Sequence, residues 1–142
     1  MTLKAIIIDD SPLQQLATSK LINDNPNLKL TGIFDNPKTG LEAIKSFRPD
    51  VVFLDVEMPG MSGFEVLESL DHDCQVILNS TRSEFAFKAF RYDHVKDYVT
   101  KPMKRERFEM AVERAMKHET ALRKTEKLCT IPVYSERSLW AC

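Results

Sequence analysis

Val51-Val52-Phe53-Leu54 is the most strand-like run of the sequence, and it stands between a break at Pro49 and the acidic residue Asp55. Consecutive β-branched, aromatic and aliphatic side chains are typical of a strand that is buried on both faces of a sheet. A second such run, Leu3–Ile8, lies near the start of the chain and stops at Asp9-Asp10. Both runs therefore predict inner strands that end in acidic side chains.

Segments with helical spacing of apolar residues separate the strand-like runs. Ser11-Pro12 and Asn36-Pro37 each combine a capping side chain with a proline at the first helical position, which predicts a helix start. Apolar residues recur at helical spacing after both starts, and again in a long final segment. The residues that carry these three patterns are Leu13, Leu16, Ala17 and Leu21; Leu41, Ile44 and Phe47; and Phe108, Ala111, Val112, Ala115 and Leu122.

The remaining segments complete an alternation of strands and helices. Three further strands are predicted at Leu28–Phe34, Gln75–Leu78 and Asp97–Val99, and two further helices around Phe64–Leu70 and Phe85–Phe90. This alternation implies a parallel sheet with helices on both faces, a doubly wound α/β fold with right-handed crossovers. One order for five such strands is 2-1-3-4-5, which leaves a crevice between the carboxyl ends of strands one and three.

The composition fits a single cytoplasmic domain. The chain has 142 residues, 43% of them hydrophobic, and a formal net charge of −1. This charge argues against a whole-domain basic surface for nucleic acid, and the sequence indicates neither a signal peptide nor a membrane span. Cys74, Cys129 and Cys142 lack metal-ligand or CxxC spacing, and the three histidines are scattered. We therefore expect a cytoplasmic protein without membrane contact.

Four of the five predicted strands end in a polar or charged residue. Strand one runs into Asp9-Asp10, strand three into Asp55, strand four into Ser80 and strand five into Lys101. A single polar residue after a strand is commonly a turn or a helix cap. The ends of parallel strands converge at one edge of the sheet, however, so this group of residues predicts a functional site.

Three carboxylates and one ammonium group leave an excess of two negative charges at this edge. Two unit charges about 4 Å apart repel by about 4 kcal/mol at a surface-like dielectric, so the cluster favours raised pKa values or a bound cation. A small set of oxygen ligands is typical of Mg²⁺. We expect a Mg²⁺ ion here, held from one side by Asp9 and Asp10.

The same residues suit phosphoryl transfer. Asp55 ends the central strand, and its carboxylate can attack phosphorus to form an aspartyl phosphate. Catalysis is then mostly positioning and neutralisation of negative charge, here by the metal and Lys101. Ser80 can donate a hydrogen bond to a phosphoryl oxygen.

These motifs together resemble the receiver domain of bacterial two-component response regulators. The resemblance implies phosphorylation of Asp55 by a sensor histidine kinase, and Mg²⁺ bound by Asp10 and Asp55 with help from Asp9 and the backbone carbonyl of Glu57. It also implies a switch rather than an enzyme, apart from Mg²⁺-dependent phosphotransfer to itself and autodephosphorylation. The motifs span about residues 1–120 and are Asp9-Asp10, the run Phe53–Gly63, Ser80, Tyr98 and Lys101-Pro102.

The resemblance also implies how the switch works. Lys101 would pair with the phosphoryl group, and its peptide bond to Pro102 would be cis. Ser80 would move toward the phosphate, so that Tyr98 turns inward and reshapes the surface of helix four, strand five and helix five. Thr81 departs from the family, because most receivers have a smaller residue after the switch hydroxyl. Its bulk bears on the rate of phosphorylation and the phosphoryl lifetime.

Ser80–Lys101 is further similar to receivers of the LytTR-type (LytR/AlgR) transcription regulators, which carry a β-rich DNA-binding domain. We expect a receiver domain at residues 1–123 and a linker with the possible start of a β-rich output domain at 124–142. Ile131–Tyr134 and Leu139-Trp140 are predicted to begin a hairpin. DNA contact would then depend on an output domain missing from this chain. The alternative is a self-contained hairpin that makes dimer contacts.

Two other functions use similar folds or chemistry. A haloacid-dehalogenase-type phosphatase also has an aspartyl nucleophile. Proteins of that class carry an Asp-x-Asp motif after the first strand, whereas here Asp55 ends the third strand and is followed by Val56-Glu57. A flavin-binding flavodoxin-like module needs a phosphate-cradling loop after strand one, where Asp9-Asp10 would repel phosphate.

A possible homodimer interface is the face of helix four, strand five and helix five. Its charges are mixed, which is typical either of a solvated surface or of a symmetric ion-paired interface. The residues assigned to it are Lys88, Arg91, Asp93, Lys96, Asp97 and Arg105.

Overall fold

A five-stranded parallel sheet forms the centre of the protein. The computed structural model describes residues 2–70 and 73–129, with side chains as far as residue 118. The strand order is β2-β1-β3-β4-β5, which confirms the predicted doubly wound topology. The strands are β1 (Leu3–Ile8), β2 (Leu28–Phe34), β3 (Val51–Asp55), β4 (Gln75–Ser80) and β5 (Val95–Thr100).

Helices cover both faces of the sheet. They are α1 (Pro12–Asn23), α2 (Pro37–Phe47), α3 (Gly63–Glu68), α4 (Ala86–Ala89) and α5 (Arg105–Cys129), with a 3₁₀ turn at Ser83–Phe85 before α4. Alternate side chains of each strand point to opposite faces, so the sheet builds two separate cores. One core joins the strands to Ile22 of α1 and Phe108 of α5, and the other joins them to α2, α3 and α4.

Capping side chains fix where the helices begin. Ser11 accepts a hydrogen bond from the Gln14 N–H, and Asn36 accepts from the backbone of residues 38 and 39, so both predicted starts are confirmed. Ser62 caps α3 in the same way. Neither the 3₁₀ turn nor α4 has a side-chain cap, and the helix predicted around Phe85–Phe90 contains only four α-helical residues.

Most of the apolar stripe predicted for α1 does not face the core, although Leu21 packs against it. Leu13 is 72% exposed and Leu16 is 69% exposed, whereas Thr18 and Ile22 are the buried residues of this helix. Spacing alone predicts that a helix has an apolar side; it does not determine which side contacts the sheet. The last helix follows its pattern, because Phe108, Ala111, Val112 and Ala115 are all buried.

The structure describes only part of the C-terminal segment for which a linker and a hairpin are predicted. Residues 124–127, expected to be linker-like, continue α5, which runs to Cys129. The predicted hairpin from Ile131 to Trp140 lies outside the described residues, and the Leu122 side chain does as well, so the division into domains stays a prediction. Within residues 2–70 and 73–129, no helix has the length and apolar character needed to cross a membrane.

Candidate functional site

Three carboxylates meet at the carboxyl ends of β1 and β3. Asp9 is 2% exposed and Asp55 is 3% exposed, while Asp10 faces solvent. One carboxylate oxygen of each residue lies within 4.8 Å of the others. Because Ser11 begins α1 directly after β1, its backbone N–H is positioned to donate to Asp9 Oδ1 at 2.9 Å. The predicted acidic cluster is therefore present.

Lys101 reaches this cluster from the end of β5. Its Nζ lies 3.1 Å from Asp9 Oδ2 and 3.3 Å from Asp55 Oδ1, and the side chain is 9% exposed. The Lys101 N–H donates to the Ser80 carbonyl at 2.7 Å, which continues the pairing of β4 with β5 beyond the strands. The Lys101-Pro102 bond is cis, as the resemblance implies.

The electrostatics of the cluster favour a divalent cation. Burial raises the pKa of Asp55 to about 6; the ammonium of Lys101 opposes this, and the charge of Asp9 adds to it. The one ammonium balances only one of the three carboxylates. All the metal-binding groups at this edge are oxygens, two of them on buried residues and one on a solvent-facing residue, Asp10. A hard cation that keeps part of its water shell, such as Mg²⁺, fits this donor set.

The loop after β3 packs directly on Asp55. A Cβ on Gly63 would lie 2.6 Å from the Asp55 carbonyl oxygen, so only glycine allows this approach. The Gly63 N–H donates to the Val56 carbonyl at 2.9 Å, and the Glu57 N–H donates to Asp55 Oδ1 at 3.1 Å. The Glu57 side chain points outward, with Oε1 3.7 Å from Arg82 Nε. The loop thus holds the backbone of Glu57 against the site.

The predicted switch residues form one hydrogen-bonded group around Arg82. Ser80 is 1% exposed, and its Oγ accepts from the Arg82 N–H at 3.0 Å. Tyr98 is 6% exposed, and its hydroxyl donates to the Arg82 carbonyl. Tyr98 is therefore already in the inward position that the resemblance implies for the switched state. Thr81 is exposed, so its methyl group does not fill the buried part of the site.

The family follows from comparison with known proteins. The sequence of residues 5–113 matches the response regulator receiver domain. The chain belongs to the response-regulator receiver family. This assignment replaces the phosphatase and flavin-binding alternatives.

Three relatives show how far the likeness to this receiver extends. The transcriptional regulatory protein BtsR of Escherichia coli (strain K12) is 33% identical over 114 residues, covering 79% of this chain and 47% of that protein. A protein-glutamate methylesterase/protein-glutamine glutaminase of Geobacillus kaustophilus is 39% identical over 107 residues, covering 71% of this chain and 30% of that protein. The receiver domain of the putative response regulator NarL from Mycobacterium tuberculosis superposes with a TM-score of 0.72 at 24% identity, covering 81% of this chain and 97% of that one.

The receiver spans about half the length or less of these curated relatives. Both likenesses support the family assignment. They do not support the narrower LytTR-type assignment, which stays a prediction.

Two residues assigned to the dimer face have other partners in this receiver. Asp97 is completely buried: Arg107 donates to both of its carboxylate oxygens at 2.6 and 2.7 Å, and Arg114 donates to Oδ1 at 2.8 Å. Arg105 lies beside α1 and donates to Asp24 at 2.7 Å. The placement of Asp97 on a solvated face is therefore wrong, whereas Arg105 is exposed as expected but is paired with α1. Spacing on β5 and α5 does not reveal an ion pair that forms between the two elements.

Proposed function

We propose that this receiver accepts a phosphoryl group on Asp55 from a sensor histidine kinase, with Mg²⁺ as its cofactor. The observation that supports this most strongly is the position of Lys101 Nζ, 3.1 Å from Asp9 and 3.3 Å from Asp55 at the rim of the acidic cluster. A structural ion pair would need one carboxylate for one ammonium. Three carboxylates around one ammonium are instead suited to a metal and an incoming phosphoryl group.

The reaction forms a bond between a carboxylate oxygen of Asp55 and phosphorus, while the bond from phosphorus to the kinase histidine nitrogen breaks. The imidazole leaves with the electron pair of that bond. The Glu57 N–H and Lys101 both contact Oδ1 of Asp55, which holds the carboxylate in one orientation and leaves Oδ2 for attack. Mg²⁺, when bound by Asp9, Asp10, Asp55 and the Glu57 carbonyl, supplies positive charge that balances the phosphoryl oxygens.

Ser80 and Lys101 are proposed to stabilise the transferred group. Lys101 supplies a point charge that can move from Asp9 to a phosphoryl oxygen without leaving the site. The Ser80 hydroxyl can turn from the Arg82 N–H toward phosphate as a donor. Such a turn would break the hydrogen bond to the backbone N–H of Arg82, while the hydrogen bond from Tyr98 to the backbone carbonyl of Arg82 would remain. Phosphorylation would thereby reach β5 and α4 through Arg82.

The first test is phosphoryl uptake from acetyl phosphate with Mg²⁺, measured by intact mass spectrometry. We expect one phosphoryl group on the wild-type chain and none on Asp55→Asn. Asp50→Asn is the matched control, because Asp50 lies just before the other end of β3 and its carboxylate accepts the Lys4 N–H at 2.8 Å. Labelling of Asp55→Asn at the wild-type level would refute the proposal.

We further propose that the output is transcription, through a DNA-binding domain of LytTR type that follows the receiver in a longer cytoplasmic protein. The support is the similarity of Ser80–Lys101 to such receivers and the likeness to BtsR, named as a transcriptional regulatory protein. The likeness to a methylesterase shows that similar receivers occur with other outputs. The coding sequence downstream of Cys142 tests this: it should encode a β-rich domain, and a stop codon at that point would exclude it.

A further inference from the structure

A buried polar side chain near the site has no role in the function proposed above. Asn79 is the next-to-last residue of β4 and is 3% exposed. Its Oδ1 is buried and accepts no hydrogen bond in the described part of the chain. Burying an acceptor without a partner destabilises the folded state, so an apolar residue would make this strand more stable. The cost indicates that the amide has another use.

The strand register places Asn79 beside the phosphoryl-acceptor residue. Asn79 pairs with Asp55 on β3 and with Val99 on β5, and register partners in a parallel sheet point to the same face. Their neighbours two residues back, Phe53 and Ile77, both pack in the core under α1 and α5. Asn79 therefore lies on the face of the sheet that carries the Asp55 side chain.

The contact between Lys101 and Asp55 must cross β4. Lys101 follows β5, Asp55 ends β3, and β4 lies between these two strands, yet Nζ of Lys101 is 3.3 Å from Asp55 Oδ1. The crossing takes place at the end of β4 that carries Asn79. A lysine ammonium has three N–H donors, and two of them are directed at Asp9 and Asp55. An unused acceptor and the remaining donor thus lie on the same face at the same end of β4.

We propose that Asn79 is a positioning residue for Lys101: its Oδ1 accepts a hydrogen bond from Lys101 Nζ when Asp9 and Asp55 are engaged in the phosphorylation reaction. This inference rests on the proposed function, because it is that reaction that takes the two carboxylates away from the ammonium. Asn79 then accepts one N–H donor of Lys101 and keeps the ammonium at the phosphoryl group, so that its other two N–H donors are directed at phosphoryl oxygens. In the resting state the lysine is held by the carboxylates, and Oδ1 remains unpaired.

The test combines Asn79→Leu, which keeps the approximate shape and removes the acceptor, with Lys101→Met in a double-mutant cycle. Ile77→Val is the control, because Ile77 lies on the same strand and the same face of the sheet, two residues further from the site. The first measurement is thermal unfolding in EDTA. Asn79→Leu should unfold at a higher temperature than the wild type, because no bond to Oδ1 is lost and an unpaired buried acceptor is removed. A lower unfolding temperature, or failure to fold, would overturn the proposal.

The second measurement is the initial rate of phosphorylation by acetyl phosphate with Mg²⁺, followed by intact mass. Asn79→Leu should lower this rate about tenfold in the wild-type background and less than about twofold in the Lys101→Met background, because a hydrogen bond to a charged group is lost only where the lysine is present. Ile77→Val should not change the rate. An equal loss in both backgrounds, or no loss, means that Asn79 is structural, with Oδ1 satisfied by water. Failure of the wild type itself to take up phosphoryl would instead refute the proposed function, so the two outcomes are distinguishable.

Discussion

Asp55 is a carboxylate in a place where its charge is disfavoured. It ends a strand that is buried on both faces, next to a second buried carboxylate, and burial raises its pKa from 3.8 to about 6. Only Lys101 and one backbone N–H oppose that effect. The residue that the proposed chemistry requires is therefore a source of instability in the metal-free protein, and this cost can be measured.

The stability of the metal-free protein should fall as pH rises through the range from about 4 to 6. The folded protein keeps a proton on Asp55 that the unfolded chain has already released, so the free energy of unfolding decreases across this range. The decrease should be on the order of 2 kcal/mol, since one pKa unit corresponds to about 1.4 kcal/mol and solvent screens part of the effect. Urea unfolding in EDTA at several pH values gives this free energy.

Asp55→Asn isolates this contribution. The variant should be more stable than the wild type at pH 7.5, and the difference should disappear near pH 3, below the ordinary pKa of 3.8, where Asp55 is protonated in both states. Asp50→Asn serves as the control at the other end of the strand. A stability difference that is the same at both pH values would contradict the burial explanation.

At this scale the sequence predicted well which charged side chains meet at the strand ends, and poorly which other groups they contact. Strand ends place Asp9, Asp55 and Lys101 at one edge of any parallel sheet, so their meeting followed from topology alone. The unpaired Oδ1 of Asn79 and the complete burial of Asp97 depend on register and on side-chain packing between elements. A single sequence carries no signal for either.

Among the elements, α5 is attached to the sheet by charge as well as by apolar packing. Asp97 of β5 is paired with Arg107 and Arg114, which are seven residues apart on one side of α5. Arg107 also donates to the Tyr98 carbonyl at 3.0 Å, and the hydrogen bonds with Asp97 raise the pKa of Arg107. This group of contacts fixes β5, which carries the proposed switch residue Tyr98, to α5.

Arg107→Met should destabilise the protein by about 2 kcal/mol, because it leaves a completely buried carboxylate with one arginine instead of two. Arg105→Met is the control on the same helix. Its ion pair with Asp24 is about half exposed on both sides, so its loss should cost less than about 1 kcal/mol. Urea unfolding at pH 7.5 measures both values. Equal costs would show that the Asp97 contacts behave as ordinary surface ion pairs.

The helix predictions were confirmed where a capping side chain followed by proline marks the first residue of the helix. Ser11-Pro12 and Asn36-Pro37 specify helix starts through a local hydrogen bond and a fixed backbone angle, so both were confirmed. The orientation of α1 depends instead on how the helix packs against the sheet. For this reason Leu13 and Leu16 face solvent, although their spacing predicts that they lie on the buried side of the helix.

The whole molecule combines a closed core with an incompletely covered α4. Phe87 is 78% exposed and Phe90 is 55% exposed, next to the charged residues Lys88 and Arg91. Strand order and helix placement followed from general rules of chain connection, which act on the whole chain. An association between two molecules follows from no such rule, so a dimer through the face of α4, β5 and α5 stays a proposal.

Activation should shorten the elution time of the receiver in size-exclusion chromatography. We expect beryllofluoride with Mg²⁺ to shift the wild type from monomer to dimer, since it mimics the phosphoryl group, and Phe87→Ser to prevent the shift by removing an exposed apolar contact. Phe47→Ser is the control, because Phe47 is a 50% exposed phenylalanine on α2. An unchanged elution volume with beryllofluoride bound would rule out this dimer.

The most direct test is to locate the phosphoryl group after reaction with acetyl phosphate, in parallel samples with Mg²⁺ and with EDTA. Peptide mapping by mass spectrometry should place a single phosphoryl group on Asp55 in the Mg²⁺ sample and none in the EDTA sample. A phosphoryl group on a different residue, or equal modification without a divalent metal, would contradict the role proposed for the three carboxylates and Lys101.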